Sequence, residues 1–188
     1  MRVLVACEFS GVVRDAFLSR GHEALSYDLL PSELPGPHVM GDVTWSLQEL
    51  WDLAIAHPPC TYLCNSGVRW LKDNPERWER MREAVEFFKL CLAANAPRVA
   101  VENPIMHRHA AQALPRRTQI IQPWQHGHGE TKATCLWLKG LPELQPSDVV
   151  DGRTARSHRE PDSRDRWKRR SRIYTGLATA MADQWGAM

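Results

Sequence analysis

The feature that most constrains the fold is a short apolar run that ends in two prolines and a cysteine. The run from Trp51 to Ala56 leads directly into His57-Pro58-Pro59-Cys60. A run of this length and character is typical of a buried strand, and the two prolines predict a rigid turn where the strand ends. Open α/β sheets carry their chemistry at the carboxyl ends of their strands. The pattern therefore predicts an α/β sheet with the Cys60 thiol displayed at its edge.

A second apolar run ends in the same way. Arg98-Val99-Ala100-Val101 is followed by Glu102-Asn103-Pro104. We expect the thiol of Cys60 and the carboxyl of Glu102 to meet at one sheet edge, as a nucleophile and its acid partner. The alternative for Cys60 is a small buried hydrophobic residue. The prolines before it and the turn residues Asn65-Ser66-Gly67 after it argue against that alternative.

Length and composition favour one globular unit. A chain of 188 residues with 43% hydrophobic content can bury one core, so we expect a single minimal domain over residues 1–188. The chain has no run of eighteen apolar residues, and residues 1–7 resemble a strand more than a signal peptide. We therefore predict a cytoplasmic protein without membrane contact.

The cysteines and histidines do not form a metal-binding pattern. Five cysteines include no Cys-x-x-Cys pair, which argues against a disulfide framework and a structural zinc site. His126 and His128 alternate in a glycine loop, and His107 and His109 alternate further upstream; such pairs are more often polar loop residues than metal ligands. We predict no metal.

The order of elements predicts a mostly parallel open sheet with helices on both faces, a Rossmann-like α/β fold. Asn74 caps and Pro75 opens the clearest helix. Residues 29–38, with three prolines, are predicted to be a loop. Two late β-like runs are candidates for an antiparallel edge. The predicted strands cover residues 2–7, 23–27, 51–56, 98–102, 118–122 and 134–138, and the predicted helices cover 11–20, 75–94 and 176–185.

The first βα unit could hold a nucleoside. Phe9-Ser10-Gly11 leaves the first strand through small residues, so backbone amides could approach a cofactor closely. Asp28, after the second strand, could accept a hydrogen bond from a ribose hydroxyl, and Asp42 could meet an adenine amino group. An ordinary tight βα turn is the alternative for a loop with one glycine.

These motifs together resemble those of the C5-cytosine methyltransferases, in a compact form like the enzymes that phages encode. Phe9-Ser10-Gly11, Asp28, Asp42, Pro58-Pro59-Cys60 and Glu102-Asn103-Pro104 follow the order of the family's cofactor, Pro-Cys and Glu-Asn motifs. The resemblance covers about three quarters of the chain and a C-terminal element. The family's glycine-rich first loop is reduced here, and its Glu-Asn-Val is Glu-Asn-Pro.

The resemblance implies an S-adenosylmethionine-dependent methyltransferase fold and methyl transfer from S-adenosylmethionine to C5 of cytosine in DNA. Cys60 would add covalently to C6 of the base, and protonated Glu102 would act at N3. Lys132 stands where the family places arginines. The implied cofactor residues are Phe9, Ser10, Gly11, Asp28, Asp42, Pro58 and Thr175. The implied substrate residues are Pro59, Asn103, Pro104 and Thr134.

A basic strip, residues 151–172, occupies the place where larger relatives insert a recognition domain. Residues 151–188 carry nine Lys or Arg against five Asp or Glu, and all nine basic residues lie between Arg153 and Arg172. Such a strip suits a phosphate backbone, and we expect contacts from Arg164, Arg166, Arg169 and Arg170. A solvated loop that leads into a helix is the alternative.

Three functions remain open at this point. The first is a minimal DNA cytosine-C5 methyltransferase. The second is the same chemistry on a free cytosine nucleotide, which the missing recognition domain would permit. The third is a nucleotide-binding or DNA-binding protein that keeps the fold without turnover. A homodimer or a separate recognition partner is compatible with each of them.

Overall fold

The computed structural model describes residues 1–156 and 159–188; Ser157 and His158, within the basic strip, lie outside the described residues. The strands are β1 (Arg2–Ala6), β2 (Glu23–Asp28), β3 (His38–Met40), β4 (Leu53–Ala56), β5 (Arg98–Pro104), β6 (Gln119–Ile121) and β7 (Thr134–Lys139). They form one sheet in the order β3-β2-β1-β4-β5-β7-β6. Strands β1 to β5 pair in parallel, and β7 is antiparallel to β5 and β6.

Helices cover both faces of this sheet. The α-helices are α1 (Val12–Leu18), α2 (Pro75–Leu92), α3 (Arg108–Gln112), α4 (Arg166–Ser171) and α5 (Thr175–Gly186). Side chains of β1 alternate between the two cores, as the two-residue period of a strand requires. Val3 and Val5 belong to the core with α1 and α5, where Trp185 is fully buried. Leu4 packs in the opposite core with Phe88 of α2.

This architecture confirms the predicted Rossmann-like α/β fold, a mostly parallel open sheet with helices on both faces. The order 3-2-1-4-5 is that of doubly wound sheets, which bind ligands at the switch point outside the carboxyl ends of the first and fourth strands. The expected antiparallel pair is present, with β6 at the edge and β7 between β5 and β6. None of the helices in the described part of the chain has the length and apolar character needed to cross a bilayer.

Local sequence signals explain where α2 begins. The side chain of Asn74 accepts a hydrogen bond from the amide of Arg77 at 3.1 Å, and Pro75 is the first helical residue, as predicted. Three elements were missed. β3 has three residues and an exposed pattern, α3 has five residues of which one is buried, and α4 buries no side chain, so none of them shows an apolar period.

Candidate active site

The carboxyl ends of β4 and β5 bring Cys60 and Glu102 to one edge of the sheet. Ala56 pairs with Val101 in parallel register, so Glu102 leaves β5 beside the chain that enters the Pro-Pro-Cys turn. The carbonyl of Cys60 accepts hydrogen bonds from two amides of the following turn, each at 3.0 Å. The thiol and carboxyl are thus held by regular strands and a closed turn.

A buried amide braces the Pro-Pro-Cys turn. Asn103 is 1% exposed, and its Nδ2 donates to the carbonyl of Pro58 at 2.7 Å. Pro58 is also buried, whereas Pro59 is exposed and Pro104 half-buried. Asn103 therefore ties the end of β5 to the turn that carries the thiol. The expected ligand contacts of these four residues remain predictions.

Cys60 shares its environment with a second thiol, that of Cys64. A hydrogen bond with Cys64 and burial raise the pKa of Cys60, and the nearby Glu102 carboxyl adds to this. The same hydrogen bond lowers the pKa of Cys64 to about 5. Ser66 Oγ lies 3.0 Å from Cys64 Sγ and supports the thiolate there. The thiol of Cys64 therefore ionises more readily than that of Cys60.

His57 contacts the Glu102 carboxyl directly. Its Nδ1 lies 3.1 Å from Oε2 of Glu102, and the two side chains are only 12% and 18% exposed. Its other ring nitrogen, Nε2, is buried and has no hydrogen-bond partner among the described residues. Sequence reasoning assigned His57 no role. Its position directly after a strand could have indicated this contact, because the residues that follow neighbouring parallel strands lie next to each other.

Lys132 approaches the same site from the loop before β7. Burial lowers the pKa of its ammonium, while Glu102 and Cys60 act in the opposite direction because they lie close by. Its Nζ donates to the carbonyl of Arg170 at 2.7 Å. The Lys132 ammonium thus lies close to the thiol and the carboxyl, and its hydrogen bond attaches the basic strip to this site. Thr134, the first residue of β7, is buried, and its hydroxyl donates to the Lys132 carbonyl at 3.2 Å.

The loop after β1 is organised by a buried carboxylate. Glu8 is 4% exposed and accepts hydrogen bonds from the amides of Val13 at 2.6 Å and Arg14 at 3.3 Å, which caps α1. The hydroxyl of Ser10 also donates to Glu8, at 3.1 Å. Ser10 and Phe9 are buried. The positive end of α1 is therefore already occupied by a charge of the chain itself.

Gly11 is required by a neighbour inside the chain. Its φ is +76°, in the left-handed region, and a Cβ there would lie 2.5 Å from Nη2 of Arg14. The Arg14 side chain is fully buried. Its guanidinium donates to the side chains of Asp15, Ser26 and Ser32 and to the carbonyls of Leu34 and Pro35. Arg14 thereby fixes the proline-rich loop that follows β2.

Asp28 and Asp42 lie near each other at the carboxyl ends of β2 and β3. The amide of Gly41 donates to the Asp28 carbonyl at 2.8 Å. Burial raises the pKa of the Cys7 thiol well above the usual value, and the nearby Asp28 and Asp42 carboxylates raise it further. Burial also raises the pKa of Asp28. Asp42 is exposed, and its hydrogen bonds from Thr44 lower its pKa. Cys7 has a φ of 59°, a strained value for a residue other than glycine.

The basic strip folds back onto this edge. The Trp167 ring packs on Phe9 at 6.2 Å between centroids. Arg172 makes a two-pronged ion pair with Glu33, with both distances 2.7 Å. Together with the bond from Lys132 to the Arg170 carbonyl, these contacts are three tethers that hold the strip across the carboxyl ends of the sheet.

Ion pairs within the strip occupy part of its charge. Arg166 pairs with Asp162 and Arg169 with Glu160, whereas Arg164 is exposed. A cavity of about 270 Å³ lies between the strip and the loop before β7. Its lining includes Glu130, Lys132, Arg156, Glu160, Arg169, Arg170, Arg172 and Tyr174. The phosphate contacts expected of these arginines remain predictions.

The histidine-containing glycine loop anchors α5. The amide of Gly176 donates to Nε2 of His128 at 3.1 Å, and the hydroxyl of Thr175 lies 3.4 Å from the same atom. Tyr174 donates to Glu130 at 2.9 Å. Residues 1–156 and 159–188 contain no cluster of three or more His, Cys, Asp or Glu side chains that could hold a metal ion.

Comparisons with known proteins gave similarities of structure only. No protein-family model and no curated protein sequence matches the chain. One similar structure is described as a DNA modification methyltransferase encoded within an E. coli prophage; it has a TM-score of 0.49 at 13% identity, over 80% of this chain and 52% of that one. The Entamoeba histolytica methyltransferase EhMeth has a TM-score of 0.47 at 12% identity, over 87% of this chain and 60% of that one. The S. pombe Dnmt2 methyltransferase has a TM-score of 0.41 at 14% identity, over 76% of this chain and 50% of that one. The chain thus spans between half and three fifths of the length of these three proteins.

Proposed function

We propose that this chain transfers a methyl group from S-adenosylmethionine to C5 of cytosine in DNA, through a covalent adduct of Cys60. The observation that carries the proposal is the meeting of a thiol and a carboxyl at the ends of two adjacent parallel strands, Cys60 after β4 and Glu102 after β5. Addition of a thiol to a pyrimidine ring and relief of the resulting charge require these two groups.

The cofactor edge fits S-adenosylmethionine better than a cofactor that carries phosphates. Glu8 already caps the α1 amides that would bind a phosphate, and its charge would repel one. Asp28 and Asp42 offer acceptors for ribose and adenine groups. Leu29 and Met40, exposed by 76% and 64% beside these acids, offer apolar surface for a purine ring. Bound there, S-adenosylmethionine would supply an electrophilic methyl group.

Cys60 is the proposed nucleophile. The Cys60 side chain is only half-buried, so its proton can leave to solvent as its sulfur bonds to C6 of cytosine. Glu102 in its protonated form donates to N3, so that the electrons displaced by sulfur are stabilised in the ring and C5 becomes nucleophilic. After methylation, the C5 proton passes to solvent and the N3 proton returns to Glu102, which restores the C5–C6 double bond and expels the Cys60 thiolate.

A mechanism-based substrate tests the covalent step. A duplex containing 5-fluorocytosine cannot lose its C5 substituent, so incubation with S-adenosylmethionine should leave the protein attached to DNA. Peptide mapping should place the bond on Cys60. Cys60→Ser should abolish the adduct, while Cys91→Ala, which removes a thiol buried in α2, should retain it. An adduct on Cys64, or one that survives Cys60→Ser, would contradict the mechanism.

The acid has a separate test. Glu102→Gln keeps a side chain of the same size but cannot deliver a proton in the same way. We expect turnover to fall by roughly two or more orders of magnitude, the usual span of general acid–base catalysis. Turnover equal to that of the parent would remove the carboxyl from the mechanism.

A free cytosine nucleotide is the second candidate substrate, favoured by the ion pairs that occupy Arg166, Arg169 and Arg172 within the chain. Methyl transfer to duplex DNA and to dCMP distinguishes the two substrates. Arg164→Ala, combined with Arg170→Ala, should weaken DNA binding equally for all sequences and lower its salt dependence by roughly one unit of log–log slope for each lost phosphate contact. Transfer to dCMP alone would favour the nucleotide.

A further inference from the structure

We propose that His57 is the positioning residue for Glu102, and that a hydrogen bond from its Nδ1–H to Oε2 fixes the carboxyl so that Oε1 addresses the base. The inference rests on the proposed function and adds a residue to it. Its starting point is the 3.1 Å separation of Nδ1 and Oε2 between two side chains that are largely shielded from water.

The backbone holds the imidazole in place. The amide of His57 donates to the carbonyl of Ala6 at 2.9 Å, which continues the pairing of β4 with β1. Pro58 follows at once, and a residue before proline has a restricted backbone. The Pro58 carbonyl is in turn fixed by Asn103. A ring mounted between two such anchors can orient a carboxyl with little loss of freedom on substrate binding.

The other charged and titratable neighbours of Glu102 do not hold its carboxyl in place. Around Glu102 lie Lys132 from the loop before β7, Cys60 from the turn, and Cys135 on β7. Lys132 has its Nζ committed to the Arg170 carbonyl at 2.7 Å. In the part of the chain that the structure describes, the hydrogen bond from His57 is therefore the direct side-chain restraint found on Glu102.

The unpartnered Nε2 points to a role in ligand binding as well. With Nδ1 protonated, Nε2 is an acceptor, and a buried acceptor without a donor carries a desolvation cost. β4 lies between β2 and β5 in the sheet, so His57 at its end stands between Asp28 and Glu102, the proposed cofactor and base halves of the site. A bound ligand that offers an N–H or O–H to Nε2 would remove that cost.

Two substitutions separate positioning from proton transfer. Asparagine carries an amide N–H close to the place of Nδ1, so His57→Asn should keep the restraint, whereas His57→Ala removes it. By analogy with groups that orient metal ligands, we expect His57→Ala to lower kcat roughly 10–100-fold with KM little changed. His57→Asn should recover most of that loss and keep the parent pH profile of kcat. The proposal would be overturned if His57→Asn were as slow as His57→Ala. It would also be overturned if His57→Asn changed the pH dependence of kcat on its acidic side.

A second measurement does not depend on activity. In the parent protein, ¹⁵N NMR of the His57 ring should show the proton on Nδ1, and Glu102→Gln should shift that signal. Both His57 variants should retain the parent circular dichroism spectrum. If the parent transfers no methyl group although the NMR contact is present, the proposed function fails and the contact stands. If the ring carries its proton on Nε2 instead, the positioning role fails whatever the activity.

Discussion

Replacing Arg14 by lysine is expected to destabilise the chain strongly although the charge is kept. The guanidinium is fully buried and donates to five different acceptors, two of them backbone carbonyls of the loop after β2. Lysine has three donors on one atom and no planar fork, so at least two acceptors lose their partner. At about 1.5–3 kcal/mol for each lost hydrogen bond to a charged group, the loss is roughly 3–6 kcal/mol.

The assay is equilibrium unfolding in urea, followed by thermal unfolding. For a chain of this length, a loss of that size lowers the melting temperature by roughly 6–24 °C. Arg20→Lys is the matched control. Arg20 makes the same kind of contact, with Nε 2.5 Å from Asp183, but the two side chains are 27% and 56% exposed.

An exposed pair of this kind contributes about 0–1 kcal/mol, so Arg20→Lys should change stability little. The reasoning would be refuted if the two variants lost equal stability, or if Arg14→Lys lost less than about 1 kcal/mol. Limited proteolysis provides a second readout. Cleavage within residues 29–37 should accelerate in Arg14→Lys only, because that loop depends on the guanidinium.

Three further outcomes are expected. Cys64 should react with iodoacetamide at neutral pH, because its pKa is lowered to about 5 and its thiolate disappears only as the pH falls through that value. Cys64→Ala should speed the labelling of Cys60, because it removes the largest influence that raises the pKa of Cys60. Gly176→Ala should cost about 1–3 kcal/mol or more in urea unfolding because its Cβ would overlap the carbonyl oxygen of His126, whereas Gly41→Ala, with open space around it, should cost little. Arg172→Gln should leave stability within about 1 kcal/mol, since its ion pair is partly exposed, yet speed release of S-adenosylmethionine in stopped-flow measurements.

Apolar runs and caps made much of the fold predictable. β4 and β5 are continuous buried runs, and α2 begins at the Asn74 cap and Pro75 that mark it in the sequence. β3 could not be predicted because it is short and exposed and is stabilised mainly by pairing with β2. Intrinsic β-propensity does not predict such a strand, because the strand forms only by pairing with its neighbour.

The site was predictable at the level of strand ends and not at the level of contacts. Two strand-terminal motifs sufficed to expect Cys60 and Glu102 at one edge. The bond between His57 and Glu102 joins residues 45 positions apart, and it depends on strand register that sequence alone does not give. Gly11 was predicted to make room for a cofactor, whereas the structure also places the Arg14 guanidinium against it. A fully buried arginine is rare enough that no pattern indicates it.

The three tethers of the basic strip have a kinetic consequence. One end of the strip is attached through Trp167 and Arg172 to the loops after β1 and β2, on the proposed cofactor side, and the other contact, from Lys132, lies beside the proposed base. A single segment therefore covers both halves of the site. Whichever ligand leaves first must displace it, and the second then departs from an edge that is already open. The residence times of the two ligands are thereby linked, and salt shortens both by screening the ion pair while the aromatic contact persists.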